Sequence, residues 1–406
     1  MARLYEDNLE QDLAFWRRKL KGGKLSIKDL LTTFDNYMSR TQQGDPNWIS
    51  SSNSVVLIKD NKWYAPFRPF EYDTNCTKQD TFCDPRIMQN QWAFDRWTRK
   101  LGIKFPDVIF FHDTGDAGAC LGGEHTCPAP VFTYFKQRDD PTFTERWGTG
   151  KMPYPVPHRR TILMPSAYMD VNRDGWPNYT PMPLYRFPFE KKVPKAIFRG
   201  AGWCPTWHHP RFVFCARWHL ADNLTHVHPQ QIDAVKDGGK KEYLSIKDHV
   251  KFKFVVAADG TGPSNRFSKL LHLDSLVLKE DSPFLAHFYR SVHPWQHYVP
   301  IFAVNENDTL TMVEHFNHPD REYEYARIVD NANKFAAKYL CDRALGLYFR
   351  KSLEEYKALF EDMQGFIDST VWPLVQAKRQ LGIDYHQSIA PFQPMFGRRA
   401  RHASEL

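Results

Sequence analysis

Phe252 to Ala258 is an unbroken apolar run that ends abruptly in Asp259-Gly260-Thr261-Gly262-Pro263. Apolar residues on both faces of a strand require cover on both sides, the situation of a parallel strand inside an α/β sheet. The turn cluster cannot prolong that strand. Behind it Ser264 suits a helix N-cap, with Phe267, Leu270 and Leu271 at helical spacing. A second strand is expected at Ser275 to Lys279, which completes a strand–turn–helix–strand unit. First-turn amides have no partners inside a helix, so Thr261, Gly262, Pro263, Ser264 and Asn265 form the expected anion site. Arg266 is placed to fork onto a phosphate there. An ordinary βαβ joint with a surface Arg is the competing reading.

Strand and helix patterns alternate on both sides of this unit. Two helices are expected near 5–21 and 26–40, a hairpin at 55–64, and a long helix from about Arg86 to Leu101. Strands are expected at 106–111, 131–135 and 161–164, followed by a stretch dense in Pro and Gly from Pro141 to Pro188. A strand at Ala196–Phe198, helices near 210–221 and 229–236, and a helical run over 311–382 complete the pattern. Two alternating blocks predict an α/β protein with two sheets facing across a cleft. The expected divisions are an N-terminal helical segment at 1–50, a first α/β domain at 51–190, a second at 191–360, and a C-terminal helix and tail at 361–406.

The string from Lys251 to Pro300 resembles the donor-binding segment of glycosyltransferase family 90, which includes Rumi-type protein O-glucosyltransferases and fungal capsule xylosyltransferases. The likeness is carried by KFKF, the Asp-Gly turn, S-x-RF, LLHLDSLVLK, SPFLAHFY and PWQHYVP, in the family's order. KAIFRG, ending at Gly200, is a second block of resemblance. The resemblance covers roughly 55 to 360. It implies a GT-B fold of two Rossmann-like domains, with a terminal helix that crosses back to the first.

It also implies an inverting, metal-independent transfer of glucose or xylose from a UDP-sugar to a hydroxyl, on Ser or Thr of a protein domain or on a glycan. A catalytically silent binder of the same fold is the alternative. Inversion needs a carboxylate that takes the acceptor proton, a contribution of roughly 10²–10⁴ in rate. Matching the family from Pro106-Asp107 puts that base at Asp116, with Asp113 as its rival. The departing diphosphate then falls to Arg266, to Arg199-Gly200-Ala201, and to a further Arg, here Arg211 with His209 as rival. Trp176-Pro177-Asn178-Tyr179 is similar to the family stretch whose Tyr approaches the sugar nucleotide, which points to Tyr179. Arg86 falls where relatives keep an Arg near the acceptor entrance.

Other classes are less well served. A net charge of +7 spread along 406 residues is a weak nucleic-acid signal. No apolar run reaches membrane-spanning length. There is no Asp-x-Asp triplet, and the His208, His209, His219, His226 and His228 spacings match no compact ligand set, so no metal is expected. Of seven Cys, Cys76 with Cys83 and Cys120 with Cys127 are spaced for disulfide loops. Sequons at Asn75, Asn178, Asn223 and Asn307 hint at a secretory lumen. The expected location is the endoplasmic reticulum or Golgi lumen if a leader precedes this chain, and cytoplasmic otherwise.

Overall fold

The computed structural model describes residues 1–42, 53–64, 90, 93–113, 120, 127–138, 160–165, 184–204, 215–236, 244–260 and 262–380. The chain is α/β. One five-stranded sheet holds β1 (Asn53–Lys59), β2 (Lys62–Tyr64), β3 (Val108–Asp113), β4 (Val131–Thr133) and β6 (Thr161–Leu163), in the order β2-β1-β3-β4-β6. β1 runs antiparallel to β2 and β3, while β3, β4 and β6 are mutually parallel. Asp60 and Asn61 close the β1–β2 hairpin with φ of 50° and 61°. Such left-handed values match the strand twist and are cheapest for Asp, Asn and Gly.

The second sheet is parallel throughout: β7 (Val193–Arg199), β8 (Ile232–Val235), β9 (Phe252–Ala257), β10 (Leu276–Glu280) and β12 (Val299–Ile301) stand in the order β12-β10-β9-β7-β8. Alternation within β9 shows why its run is apolar on both faces. Phe254, Val256 and Ala258 join a core with Leu220, Leu224, Val313 and Ile328, whereas Val255 and Ala257 join the larger core with Phe267 and Leu270. The expected helix at 229–236 is instead strand β8, paired residue for residue with β7 from Ala196↔Ile232 to Arg199↔Val235. Its short apolar pattern cannot separate the two periods, and the vacant edge of β7 decides. The preceding helix starts later than expected, at Ala216, and runs through a wide π-type turn to Val227.

A third pair, β5 (Phe135–Gln137) antiparallel to β11 (Phe284–Ala286), stitches the two halves of the sequence together. Asp12 of the N-terminal helix Glu10–Leu20 reinforces the joint. Its buried carboxylate accepts from Lys136 (2.6 Å), Arg290 (2.9 Å) and the Leu163 amide (2.8 Å). Helix Asp342–Ala358 lies on the first sheet, where Phe349 is ringed by Trp63, Trp97, Phe105, Phe110 and Phe132. The chain stays on that sheet afterwards. Lys59 pairs with Asp107 at 2.7 Å and with Asp368 at 3.0 Å, and Trp372 stands edge-on to Tyr64.

At the carboxyl end of the second sheet is a buried charge cluster. Asp259 accepts from Lys279 (2.8 Å), the Ser264 amide (2.6 Å) and the Ser282 hydroxyl, and its own amide donates to Glu280 at 2.7 Å. Burial, and then the neighbouring Asp259 charge, push the Glu280 carboxyl up to about 8, against the pull of Lys279 and Arg217.

Two stability outcomes follow from this packing. Phe349→Ala should cost about 3–5 kcal/mol in denaturant unfolding, because the rings around it cannot collapse into the void. For Glu280 the folded carboxyl keeps its proton to about 8 while an unfolded one releases it near 4.5. The native state binds the extra proton inside that window, so stability is greatest below it and falls as pH rises through it. Urea unfolding at about pH 5 and about pH 8 should differ by on the order of a few kcal/mol from this group, and Glu280→Gln should flatten the slope. An unchanged slope in that variant would show Glu280 to be ionised in the fold.

Candidate functional site

The order of the second sheet reverses between β7 and β9. From β7 the chain moves outward to β8, and from β9 it moves the other way to β10 and β12. Loops leaving the carboxyl ends of β7 and β9 therefore diverge and leave a crevice between them, where α/β sheets hold their ligands. Gly200 and Ala201 stand on the first loop; Gly262, Pro263, Ser264, Asn265 and Arg266 stand on the second. Segments far apart in the sequence are thus brought together by strand order alone.

Contact between the loops is direct. A Cβ at position 200 would lie 2.5 Å from Nη2 of Arg266 and 2.6 Å from Cζ of Phe198. Only glycine admits that approach. The Arg266 guanidinium lies 5.3 Å from the centre of the Phe198 ring, a cation–π contact that helps hold it at the crevice. The Arg199 side chain is engaged elsewhere. Its Nη1 bonds the Asp233 carbonyl at 2.9 Å and the Asp233 carboxylate at 2.8 Å, on neighbouring β8.

The expected helix N-terminus takes a different form. The helix is a single turn, Phe267–Leu270, and its N-cap is Arg266, without a side-chain cap bond. Ser264 does not cap it; its amide is taken by Asp259, and the Gly260 amide donates to the Gly262 carbonyl at 2.9 Å. Buried Asp259 occupies the Ser264 donor, so that amide is not turned toward the crevice. Asp116, Arg86, Tyr179, Arg211, His209 and Thr261 lie outside the described residues.

Arg217 escaped the sequence reading. It follows Cys215-Ala216 at the start of the helix and is only 9% exposed. Nε and Nη2 donate to the Ala258 carbonyl at 3.2 and 3.1 Å, and Nη1 to the Ala201 carbonyl at 2.9 Å. Burial works against its charge, while Asp259 and Glu280 support it. An Arg directly after the apolar string Phe212-Val213-Phe214-Cys215-Ala216 was the available signal, since a buried guanidinium needs acceptors.

A disulfide joins Cys204 to Cys215, two residues before Arg217. Beside it Trp203 and Trp218 are 68% and 50% exposed, and Trp218 donates its indole N–H to the Gly202 carbonyl at 2.7 Å. On the far side, Gly262 meets the first half of the chain: a Cβ there would lie 3.0 Å from Phe135 of β5. The rival Asp113 is the last residue of β3 and is buried, not beyond the strand as its neighbours suggested. Cys120 is bonded to Cys127, as their spacing predicts. His219 bonds Asn223 and the Glu306 carbonyl, and among the described residues no cluster of His, Cys, Asp and Glu could hold a metal ion.

Residues 183–365, which contain both crevice loops, match the family model described as Glycosyl transferase family 90. Protein O-glucosyltransferase 3 of Homo sapiens is 34% identical over 144 residues, 33% of this chain and 28% of that protein. Protein O-glucosyltransferase 2 of Danio rerio is 27% identical over 266 residues, 64% of this chain and 49% of the relative. An O-glucosyltransferase rumi homolog of Aedes aegypti is 28% identical over 176 residues, 42% and 43% of the two chains. The chain thus spans less than half the length of each of these relatives. Residues 183–365, the segment that builds the β7/β9 crevice, are thus similar to glycosyl transferase family 90.

Proposed function

We propose that the chain is an inverting glycosyltransferase that takes a UDP-sugar in the β7/β9 crevice and passes glucose or xylose to a hydroxyl acceptor. The observation that carries this reading is the pair of guanidiniums, Arg266 and Arg217, gathered around Phe198 at the point where strand order reverses. The relatives' names, protein O-glucosyltransferase, favour glucose as the sugar and a protein Ser or Thr as the acceptor. Xylose and a glycan acceptor fall within the same chemistry. The two sheets would serve as the two halves of a GT-B enzyme, with Gly262 against Phe135 marking where they meet.

In this mechanism Asp116 takes the acceptor's proton as its oxygen attacks the anomeric carbon from the face opposite the diphosphate. The bond from that carbon to the phosphate oxygen breaks, and UDP leaves with both electrons. Arg266 neutralises the charge that develops, with no metal required, each charge-assisted hydrogen bond contributing about 1.5–3 kcal/mol. Burial of Asp113 at the end of β3 favours the loop residue Asp116 as base. Arg211 completes the diphosphate contacts, Tyr179 lies along the sugar nucleotide, and Arg86 stands at the acceptor entrance. The disulfides Cys120–Cys127 and Cys204–Cys215 suit an oxidising lumen, so we place the protein in the endoplasmic reticulum or Golgi.

The purified protein should release UDP from UDP-glucose or UDP-xylose in the presence of peptide or oligosaccharide acceptors, with the product identified by mass spectrometry. Activity should survive EDTA and vanish in Asp116→Asn. Persistence in that variant sinks the base assignment, and binding without turnover on any acceptor supports a silent binder instead. Arg266→Ala should weaken UDP by about 10- to 100-fold, the loss of one charge-assisted contact. Quenching of the exposed Trp203 and Trp218 beside the crevice offers the titration signal.

A further inference from the structure

We infer that Arg217 is a positioning residue that sets the separation of the two loops of the nucleotide site, an inference that rests on the UDP-binding reading above. Its fork spans the crevice floor. One edge holds the carbonyl of Ala258, at the root of the β9 loop, and the other arm holds the carbonyl of Ala201, on the β7 loop. One rigid planar group therefore fixes two segments that no ladder hydrogen bond joins at this point. A lysine carries the same charge but has no fork and cannot satisfy both carbonyls in one geometry.

The same group also acts on Arg266. The two arginines share the Phe198 ring, with the Arg217 guanidinium 5.8 Å and the Arg266 guanidinium 5.3 Å from its centre. Phe198 in turn presses on Gly200, where the Arg266 tip comes to rest. Displacing Arg217 would release the Ala201 carbonyl and the ring that carries Arg266. The diphosphate clamp would then lose its aim without losing its charge.

Gly260 supplies an internal control. A Cβ built there lies 3.0 Å from Cζ and Nη2 and 3.1 Å from Nη1 of Arg217, and its three nearest neighbours all belong to that side chain. The φ of Gly260 is not in the left-handed region, so alanine meets the guanidinium and no backbone strain. Gly260→Ala should therefore disturb the site by moving Arg217, and the disturbance should disappear when Arg217 is already gone.

The test is a double-mutant cycle on UDP affinity, read by calorimetry together with the thermal midpoint of each variant. Arg217→Ala, Arg217→Lys and Gly260→Ala should each weaken UDP by about tenfold or more, while Gly260→Ala in the Arg217→Ala background should change affinity by less than about twofold. UDP affinity in Arg217→Lys within about twofold of the wild type, with only the thermal midpoint lowered, would show that the residue merely packs. Additive losses in the cycle would also overturn the inference. If Arg217→Ala does not fold, Gly260→Ala, which adds a single methyl, decides the matter alone: unchanged UDP affinity there overturns the inference. Failure of the wild type to bind UDP is a different result: it defeats the functional reading itself and this inference with it.

Discussion

The site is organised around the carboxylate of Asp259, a fully buried anion at the point where β9 gives way to its loop. Three donors converge on it: the Lys279 ammonium, the Ser282 hydroxyl and the Ser264 amide. Its own amide is held by Glu280. A buried charge with so complete a shell is costly to disturb, since removing one partner leaves the others uncompensated. That shell ties the β9 loop to the end of β10 and holds Ser264 two residues before Arg266.

Around that point the cations and anions balance over a short span. Lys279 and Arg217 face Asp259, and Glu280 is kept largely protonated beside them. The floor of the crevice is therefore tied up in its own ion pairs. On the proposed reading an anionic ligand would meet Arg266 at the rim, with Arg217 holding the backbone below it. This division of labour explains why two arginines near one phenyl ring need not be redundant.

Gly262 rests on Phe135, and Phe135 belongs to the β5–β11 pair that joins the two halves. Lys136 of the same strand is anchored by Asp12, which also holds Arg290. The helices from Asp342 onward cover the first sheet, so the two halves share one large core rather than merely touching.

Much of this was legible in residues 193–200 and 251–300, because short-range forces dominate there. A strand covered on both faces must be apolar throughout, and a turn that admits no strand must contain residues such as Asp-Gly. Those rules located β7, β9, β10 and both loops without reference to the rest of the chain. β8 reads as a helix in the sequence, since Ile232 to Val235 suits either state until an open strand edge is available. Ser264 reads as a cap for a similar reason: the acid that claims its amide is a neighbour in sequence, but its burial is a property of the packed sheet. The partners of Arg217 and the Cys204–Cys215 bond were hidden because they are chosen by distance in space. By itself the sequence determined most of the strands and turns and which residues are ionisable, as these follow from local sterics, hydrophobic periodicity and residue type. Only the tertiary structure decided that the β7 and β9 loops are neighbours, because strand order is set by long-range packing, and that order turns scattered arginines into one site.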